Sequence, residues 1–136
     1  MRVASAGRLA RVCVATGVAA CCVGAFACAR EAANVTARWT TDPASASTAT
    51  ATSVRVVLKH PDGKAVSGAK LRIEAHMTHP GMQPLVSDAT ERESGTYESR
   101  VNLSMAGRWV LVVTGTLADG RRLVQQTEIT VAERSG

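Results

Sequence analysis

The sequence predicts an all-β protein: a single immunoglobulin-like antiparallel β-sandwich of about seven strands after an N-terminal signal or anchor helix. Beyond residue 52, turn-forming residues recur at roughly eight- to twelve-residue intervals, and apolar and polar residues alternate between them. Outside residues 1–29, no segment has a convincing helical period of about 3.6 residues. We therefore divide the chain into a signal peptide or lipoprotein signal/anchor (1–29), a first strand with a linker rich in Ala, Ser and Thr (30–52), and the sandwich domain (53–134).

The first 29 residues have the composition of an export signal. Three arginines occur by position 11, and an almost unbroken run of apolar and small residues extends from Val12 to Ala29. A basic region followed by an apolar region is typical of secretory signals, although a run of this length also meets the lower limit for a membrane-spanning anchor. We expect an exported protein, in the periplasm or at the outer surface of the cytoplasmic membrane.

All four cysteines lie in this segment, at positions 13, 21, 22 and 28. The sequence "VAAC", which ends at Cys21, resembles a bacterial lipobox, in which the cysteine is acylated and becomes the mature N-terminus. The sequence "AFAC", which ends at Cys28, matches less well but gives the apolar region a more natural length. Cys21 and Cys28 are both candidates for a lipid anchor, and cleavage beside Ala27 or Ala29 without lipidation is a third alternative. Because no cysteine follows Cys28, the folded part has no internal disulfide, thiolate zinc site or thiol nucleophile.

Seven segments have the pattern of β-strands. They cover residues 35–40, 53–60, 69–77, 85–90, 96–103, 108–117 and 123–132. In the first, Trp39 is expected to point inward, and the low-complexity stretch "DPASASTATAT" follows as a linker or long loop. The second strand, "SVRVVLKH", alternates apolar and basic residues and ends at the turn "PDGK".

The later strands are separated by equally clear turns. In "AKLRIEAHM" the residues Leu, Ile, Ala and Met share one face, and Pro80-Gly81 ends the strand. Pro84 delays the next strand, and "ERESG" is expected to turn the chain into "TYESRVNL". In that strand Tyr97, Ser99, Val101 and Leu103 share one face. The turn "SMAG" leads into "RWVLVVTGTL", which is apolar on both faces and therefore predicted to be central. The turn "ADGR" leads into the closing strand. Tyr97 is expected to tie down a loop backbone, and Trp109 to centre the core.

Charge and motifs argue against several classes of function. The formal net charge is +5, but residues 30–136 carry 13 basic and 11 acidic side chains. That segment has no long basic run and only three aromatic residues, so nucleic-acid binding is not predicted. The sequence contains no G-x-S-x-G, phosphate-binding Gly-rich or H-E-x-x-H element, and we do not expect an enzyme.

One stretch, "EAHMTHPGMQP" at residues 74–84, concentrates histidine and methionine. If successive strands run antiparallel, the loop at 78–84 and the turn "SMAG" lie at the same end of the sandwich. His79, Met82 and Met105 would then be neighbours. Thioether sulfur is a soft, uncharged donor that favours Cu(I), and imidazole binds copper in either oxidation state. These three residues are the main candidate ligands.

His76 and Met77 complete the candidate set, and structural roles compete with ligand roles for most of it. Met77 continues an apolar strand face, which is typical of a core residue. His76 lies on the opposite, outward face. Met105 could fill a gap above Trp109, since methionine packs irregular spaces well.

The chain resembles the YtkA-like domain family, which is related to the FixH-type proteins. The resemblance is carried by "DGKAVSGAKLRIEA", "HMTHPGM", "ESGTYESRVNLSMAGRW" and the closing strand, over roughly residues 53–131. It implies a β-sandwich that is exported or membrane-anchored in a bacterium, with relatives connected to copper handling, metal efflux or assembly of copper-containing oxidases. By position, His79, Met82 and Met105 match the family's His/Met loop and the methionine of its "M-x-G-x-W" motif. FixH-type members usually carry a longer transmembrane anchor than this chain has.

Two functions are therefore expected to compete. The first is an extracytoplasmic accessory protein that binds Cu(I) for copper homeostasis or for delivery to a membrane partner, such as a metal efflux component or a copper oxidase. The second is a metal-free structural or protein-interaction module with a methionine-rich docking patch.

Overall fold

Seven antiparallel strands form the part of the protein that the structure describes, as the alternating sequence predicts. The structure is a computed structural model that describes residues 33–48 and 50–133. The strands are β1 (Thr36–Asp42), β2 (Thr52–Lys59), β3 (Lys70–Met77), β4 (Leu85–Glu93), β5 (Thr96–Val101), β6 (Gly107–Thr116) and β7 (Arg122–Val131). Within the described ranges, no helix has the length and hydropathy of a membrane span. The expected signal helix and the candidate lipidation sites Cys21 and Cys28 lie outside the described residues.

The strands hydrogen-bond in the order β1-β2-β5-β4-β3-β6-β7. β4 joins the two sheets of the sandwich, because residues 85–89 pair with β3 while residues beyond them pair with β5. The outer strands β1 and β7 approach each other at both ends: Ala33 N–H donates to Arg122 O at 2.8 Å, and Ala132 N–H donates to Ala46 O at 2.9 Å. The predicted sandwich is therefore confirmed, in a nearly barrel-shaped form.

The connections between strands gather at two poles. The N-terminal pole contains Ala33, where the described chain begins, and the connections β2–β3, β4–β5 and β6–β7. The methionine pole contains the connections β1–β2, β3–β4 and β5–β6. This distribution follows from the antiparallel pairing of every neighbouring pair of strands.

The core lies between the two sheets and is built from alternate residues of each strand. Trp109 is 1% exposed and Tyr97 is fully buried, so both aromatic residues take the interior positions that the sequence indicates. Tyr97, Ser99, Val101 and Leu103 share the buried face of the β5 segment, as predicted. Trp39 is only partly buried, because β1 is an outer strand whose inward face is incompletely covered.

The β4–β5 hairpin is tighter than the sequence suggested. The stretch "ERESG" was expected to form the turn, but β4 continues to Glu93 and only Ser94 and Gly95 connect the strands. Gly95 has a φ of 74°, and a Cβ there would stand 3.0 Å from Leu58 O. A side chain at Gly95 would therefore push the hairpin off β2. Because the turn takes up only two residues, the polar residues before it remain available to pair with β5. β4 is therefore longer than predicted.

Tyr97 ties the β2–β3 connection to the core. Its hydroxyl donates to Val66 O at 2.8 Å and accepts from Ala69 N–H at 3.1 Å. The predicted role of Tyr97 as a residue that holds a loop backbone is confirmed.

Glu91 connects three segments of the same pole. Its carboxylate accepts hydrogen bonds from Gly68 N–H at 2.9 Å and from Gly95 N–H at 3.0 Å. These two backbone donors hold the pKa of the Glu91 carboxyl below its usual range.

We expect Tyr97→Phe to lower the free energy of unfolding by roughly 1–3 kcal/mol, because Val66 O would be left buried without its donor. Chemical denaturation near neutral pH measures this change. An unfolding free energy equal to that of the wild type would show that the hydroxyl does not secure the β2–β3 connection.

Replacing Glu91 with Gln should destabilise the protein in a pH-dependent way. The folded-state pKa of Glu91 lies below that of the unfolded chain, so its stabilisation is present above the unfolded pKa and is lost as pH falls through the folded pKa. Denaturation at about pH 7 and about pH 3 should show a stability difference that shrinks at the acidic value. Glu93→Gln, on the same strand, is the control. A difference for Glu91→Gln that stays constant with pH would contradict this account.

Candidate functional site

The pairing of β3 with β6 brings the two methionine-bearing connections together. Met77, the last residue of β3, lies opposite Trp109 in β6. The contact continues one residue further, where Thr78 N–H and its hydroxyl Oγ1 lie 3.3 and 3.4 Å from Arg108 O. The β3–β4 connection therefore begins beside the point where the β5–β6 connection ends, at the methionine pole, as the antiparallel strand argument predicted.

The β3–β4 connection presents His79 and Met82 to solvent. Pro80 and Gly81 form a turn between them, and Gly81 has a φ of 84°, a conformation that residues other than glycine rarely adopt. His79 is exposed and Met82 is 43% exposed. The loop thus holds an imidazole and a thioether on the two sides of one bend.

Met105 supplies the thioether of the β5–β6 connection. Its backbone carbonyl accepts a hydrogen bond of 3.0 Å from Trp109 Nε1, and the Trp109 ring is buried. Met105 itself is 42% exposed. The buried indole therefore fixes the loop backbone, and the methionine side chain reaches solvent instead of filling the space above Trp109.

Met77 has a different environment. It is partly buried and packs against the core. A Cβ added at Gly107 would stand 3.3 Å from Met77 Cε, so the methyl of Met77 lies against the start of β6. Gly107 also has a φ of 128°. Met77 is therefore a packing residue that lies between the core and the start of β6.

His76 lies next to Met77 on β3 but on the outward face of the strand. Its Nε2 is 3.1 Å from Glu74 Oε2, so a carboxylate on the same strand already engages the ring. The structure thus separates His76 from the inward-facing Met77. It groups the exposed side chains His79, Met82 and Met105 on neighbouring connections.

Within residues 33–48 and 50–133, no three His, Cys, Asp or Glu side chains come together as a metal-binding group. The candidate donors at the methionine pole are two thioethers and one imidazole. Metal binding by His76, Met77, His79, Met82 or Met105 stays a prediction.

Comparison with known proteins identifies the family. A model of the YtkA-like family matches residues 30–114, which is more than half of the chain. The chain belongs to the YtkA-like family. A search of the curated proteins found no match. Among solved structures, the YtkA-like chain is similar to MtrC from Shewanella baltica OS185, with 13% identity and a TM-score of 0.44. The similarity covers 75% of this chain and only 22% of MtrC.

The residues that attach the β3–β4 connection to the start of β6 were not identified from sequence. Thr78 and Arg108 make the bridging hydrogen bonds, and Gly107 makes room for the Met77 methyl. The sequence contained one relevant signal, the glycine directly before "RW", which was interpreted as a turn residue alone. Thr78 and Arg108 carry no such signal, because their contact depends on the register between β3 and β6.

We expect Gly107→Ala to shift the NMR resonance of the Met77 methyl more than those of Met82 and Met105. The added Cβ would press on Met77 Cε, and the positive φ would strain the backbone at the same time. Gly63→Ala is a matched control, since Gly63 has a φ of 84° but nothing within 4 Å of an added Cβ. Equal methyl shifts in the two variants would show that Met77 does not pack against β6 in solution.

Proposed function

We propose that this YtkA-like protein is an extracytoplasmic accessory protein that binds Cu(I) through His79, Met82 and Met105. One observation supports this function above the others. Two methionines that lie 23 positions apart in the sequence are both exposed on connections at one pole, where Thr78 hydrogen-bonds to Arg108 at the start of β6. A soft-metal site and a route for metal transfer both require accessible sulfur.

The donor set fits Cu(I). Thioether sulfur and imidazole nitrogen are neutral donors that suit a soft monovalent ion better than hard cations such as Mg²⁺ or Ca²⁺. Neutral donors also remain available in an oxidising compartment, where thiols are captured as disulfides. In this proposal His79, Met82 and Met105 hold the ion, and the exposed loop allows a partner to replace one donor at a time.

His76 and Met77 have peripheral roles in the proposal. Glu74 holds the His76 ring on the outer face of β3, and core contacts hold Met77. Met77 would support the site by packing the end of β3 against the start of β6.

The proposed setting is the outer face of the cytoplasmic membrane, with the chain attached through a lipid on Cys21 or Cys28. The basic and apolar order of residues 1–29 supports export, and the lipobox-like sequences support lipidation. The proposed partner is a membrane protein that takes up or supplies Cu(I), such as a metal efflux component or a copper oxidase.

Anaerobic competition titration of the exported protein tests the site. We expect a Cu(I) dissociation constant below about 1 µM, and a loss of at least about tenfold in affinity for Met82→Ala combined with Met105→Ala. His79→Ala alone should weaken binding less. Val86→Ala combined with Val124→Ala is the control, because it removes two other exposed apolar side chains. If the parent protein does not bind, or if the methionine variant binds as well as the parent, the copper proposal is wrong.

A metal-free docking patch is the second candidate function. Met82 and Met105 are two of the four large hydrophobic residues that are exposed in the described part of the chain; the others are Val86 and Val124. Methionine side chains adapt readily to apolar partners. Failure of Cu(I) binding, together with loss of a crosslinked membrane partner in the methionine variant, would favour this function.

A further inference from the structure

A second surface feature lies on the sheet that contains β1 and β2, towards the N-terminal pole. It is a cavity of about 490 Å³, here called the basic cavity. Its walls are formed by Thr36, Arg38, Val57, Lys59, His60, Pro61 and Gly63. Neither the candidate copper site nor the alternative docking patch uses any of these residues.

The register between β1 and β2 creates the basic cavity. Thr36 lies opposite Lys59, and Arg38 lies opposite Val57, so outward-facing residues of both strands surround one space. The turn after β2 closes one end, where Gly63 N–H donates to His60 O at 2.9 Å. The cavity is therefore a product of ordered backbone pairing.

The charge of the basic cavity is unusual for this protein. Its lining includes Arg38, Lys59 and His60 and no carboxylate. Three other surface cavities each include one, namely Asp88, Glu93 or Glu128. Asp62, in the adjoining turn, lies 3.6 Å from Lys64. Arg38 and Lys59 therefore give the basic cavity a positive charge that attracts an anion.

The basic cavity also lies near the start of the described part of the chain. Thr36 belongs to its wall and is three positions after Ala33, whose N–H donates to Arg122 O. The five positions between Cys28 and Ala33 span at most about 17 Å when fully extended. A lipid on Cys28 would therefore keep the N-terminal pole close to the headgroups of the bilayer.

We infer that the basic cavity binds the phosphate of an anionic phospholipid headgroup. Arg38 and Lys59 would pair with the phosphate, since guanidinium and ammonium groups form strong charge-assisted hydrogen bonds with it. Val57 and Pro61 would contact the apolar part of the same lipid. The inference rests on the proposed membrane attachment, but not on copper binding. Its consequence is an orientation in which the methionine pole faces away from the bilayer.

Relaxation measurements on the exported full-chain protein in nanodiscs test this inference. The discs contain phosphatidylcholine alone or with about one third phosphatidylglycerol, and a paramagnetic label on a lipid headgroup reports proximity. We expect the relaxation enhancement at the amides of Val57, His60 and Gly63 to be clearly stronger in the anionic discs than in the phosphatidylcholine discs. The methyls of Met82 and Met105 should show little enhancement in either disc.

Variants identify the residues responsible. In the anionic discs, Arg38→Gln combined with Lys59→Gln should lower the enhancement at His60 to about the level seen in the phosphatidylcholine discs. Arg100→Gln combined with Arg108→Gln removes the same number of cations from the opposite part of the protein and should leave it unchanged. Met82→Ala combined with Met105→Ala should also leave it unchanged, which separates this test from the copper test.

Three outcomes would overturn the inference. The first is equal enhancement in the two kinds of disc, and the second is unchanged enhancement in the Arg38 and Lys59 variant. The third is release of the contact by millimolar inorganic phosphate, which would make the basic cavity a site for a small free anion.

Discussion

The antiparallel pairing of β3 with β6 is the constraint on which both the fold and the candidate site depend. It joins residues 70–77 to residues 109–116 along the full length of β3. Gly115 permits this close approach, because a Cβ there would collide with the backbone oxygen of Lys70. A slip of one residue would turn the inward side chains of β3 to the solvent and separate the two connections at the methionine pole.

Local patterns were enough to predict most of the sandwich. The alternation in β2, β3 and β5 reflects the two faces of each strand, and it identified the buried side of each one. β4 was harder to delimit, because its two ends pair with different neighbours and its burial alternates only between exposed and half-buried residues. Trp39 is a second case that the local pattern could not settle. An apolar side chain predicts an inward face, but how far Trp39 is exposed depends on whether another strand covers β1.

The sequence was enough to predict where the candidate site lies, but not how its side chains pack. Connections separated by two antiparallel strands return to the same pole, so the proximity of the His79 and Met105 loops follows from strand order alone. The exposure of Met105 depends on its backbone bond to Trp109, and the packing of Met77 depends on the space at Gly107. The basic cavity was invisible in the sequence, because Arg38 and Lys59 become neighbours only through the register of β1 with β2.

The two poles of the domain are separated by the length of its strands. β3 has eight residues, so it rises about 26 Å from one pole to the other. In the orientation that we propose from the basic cavity, an ion bound at the methionine pole would lie about this distance from the bilayer surface. A membrane partner that exchanged this ion would then need a domain that extends a similar distance from the bilayer, because an opening at the level of the lipid surface could not reach it.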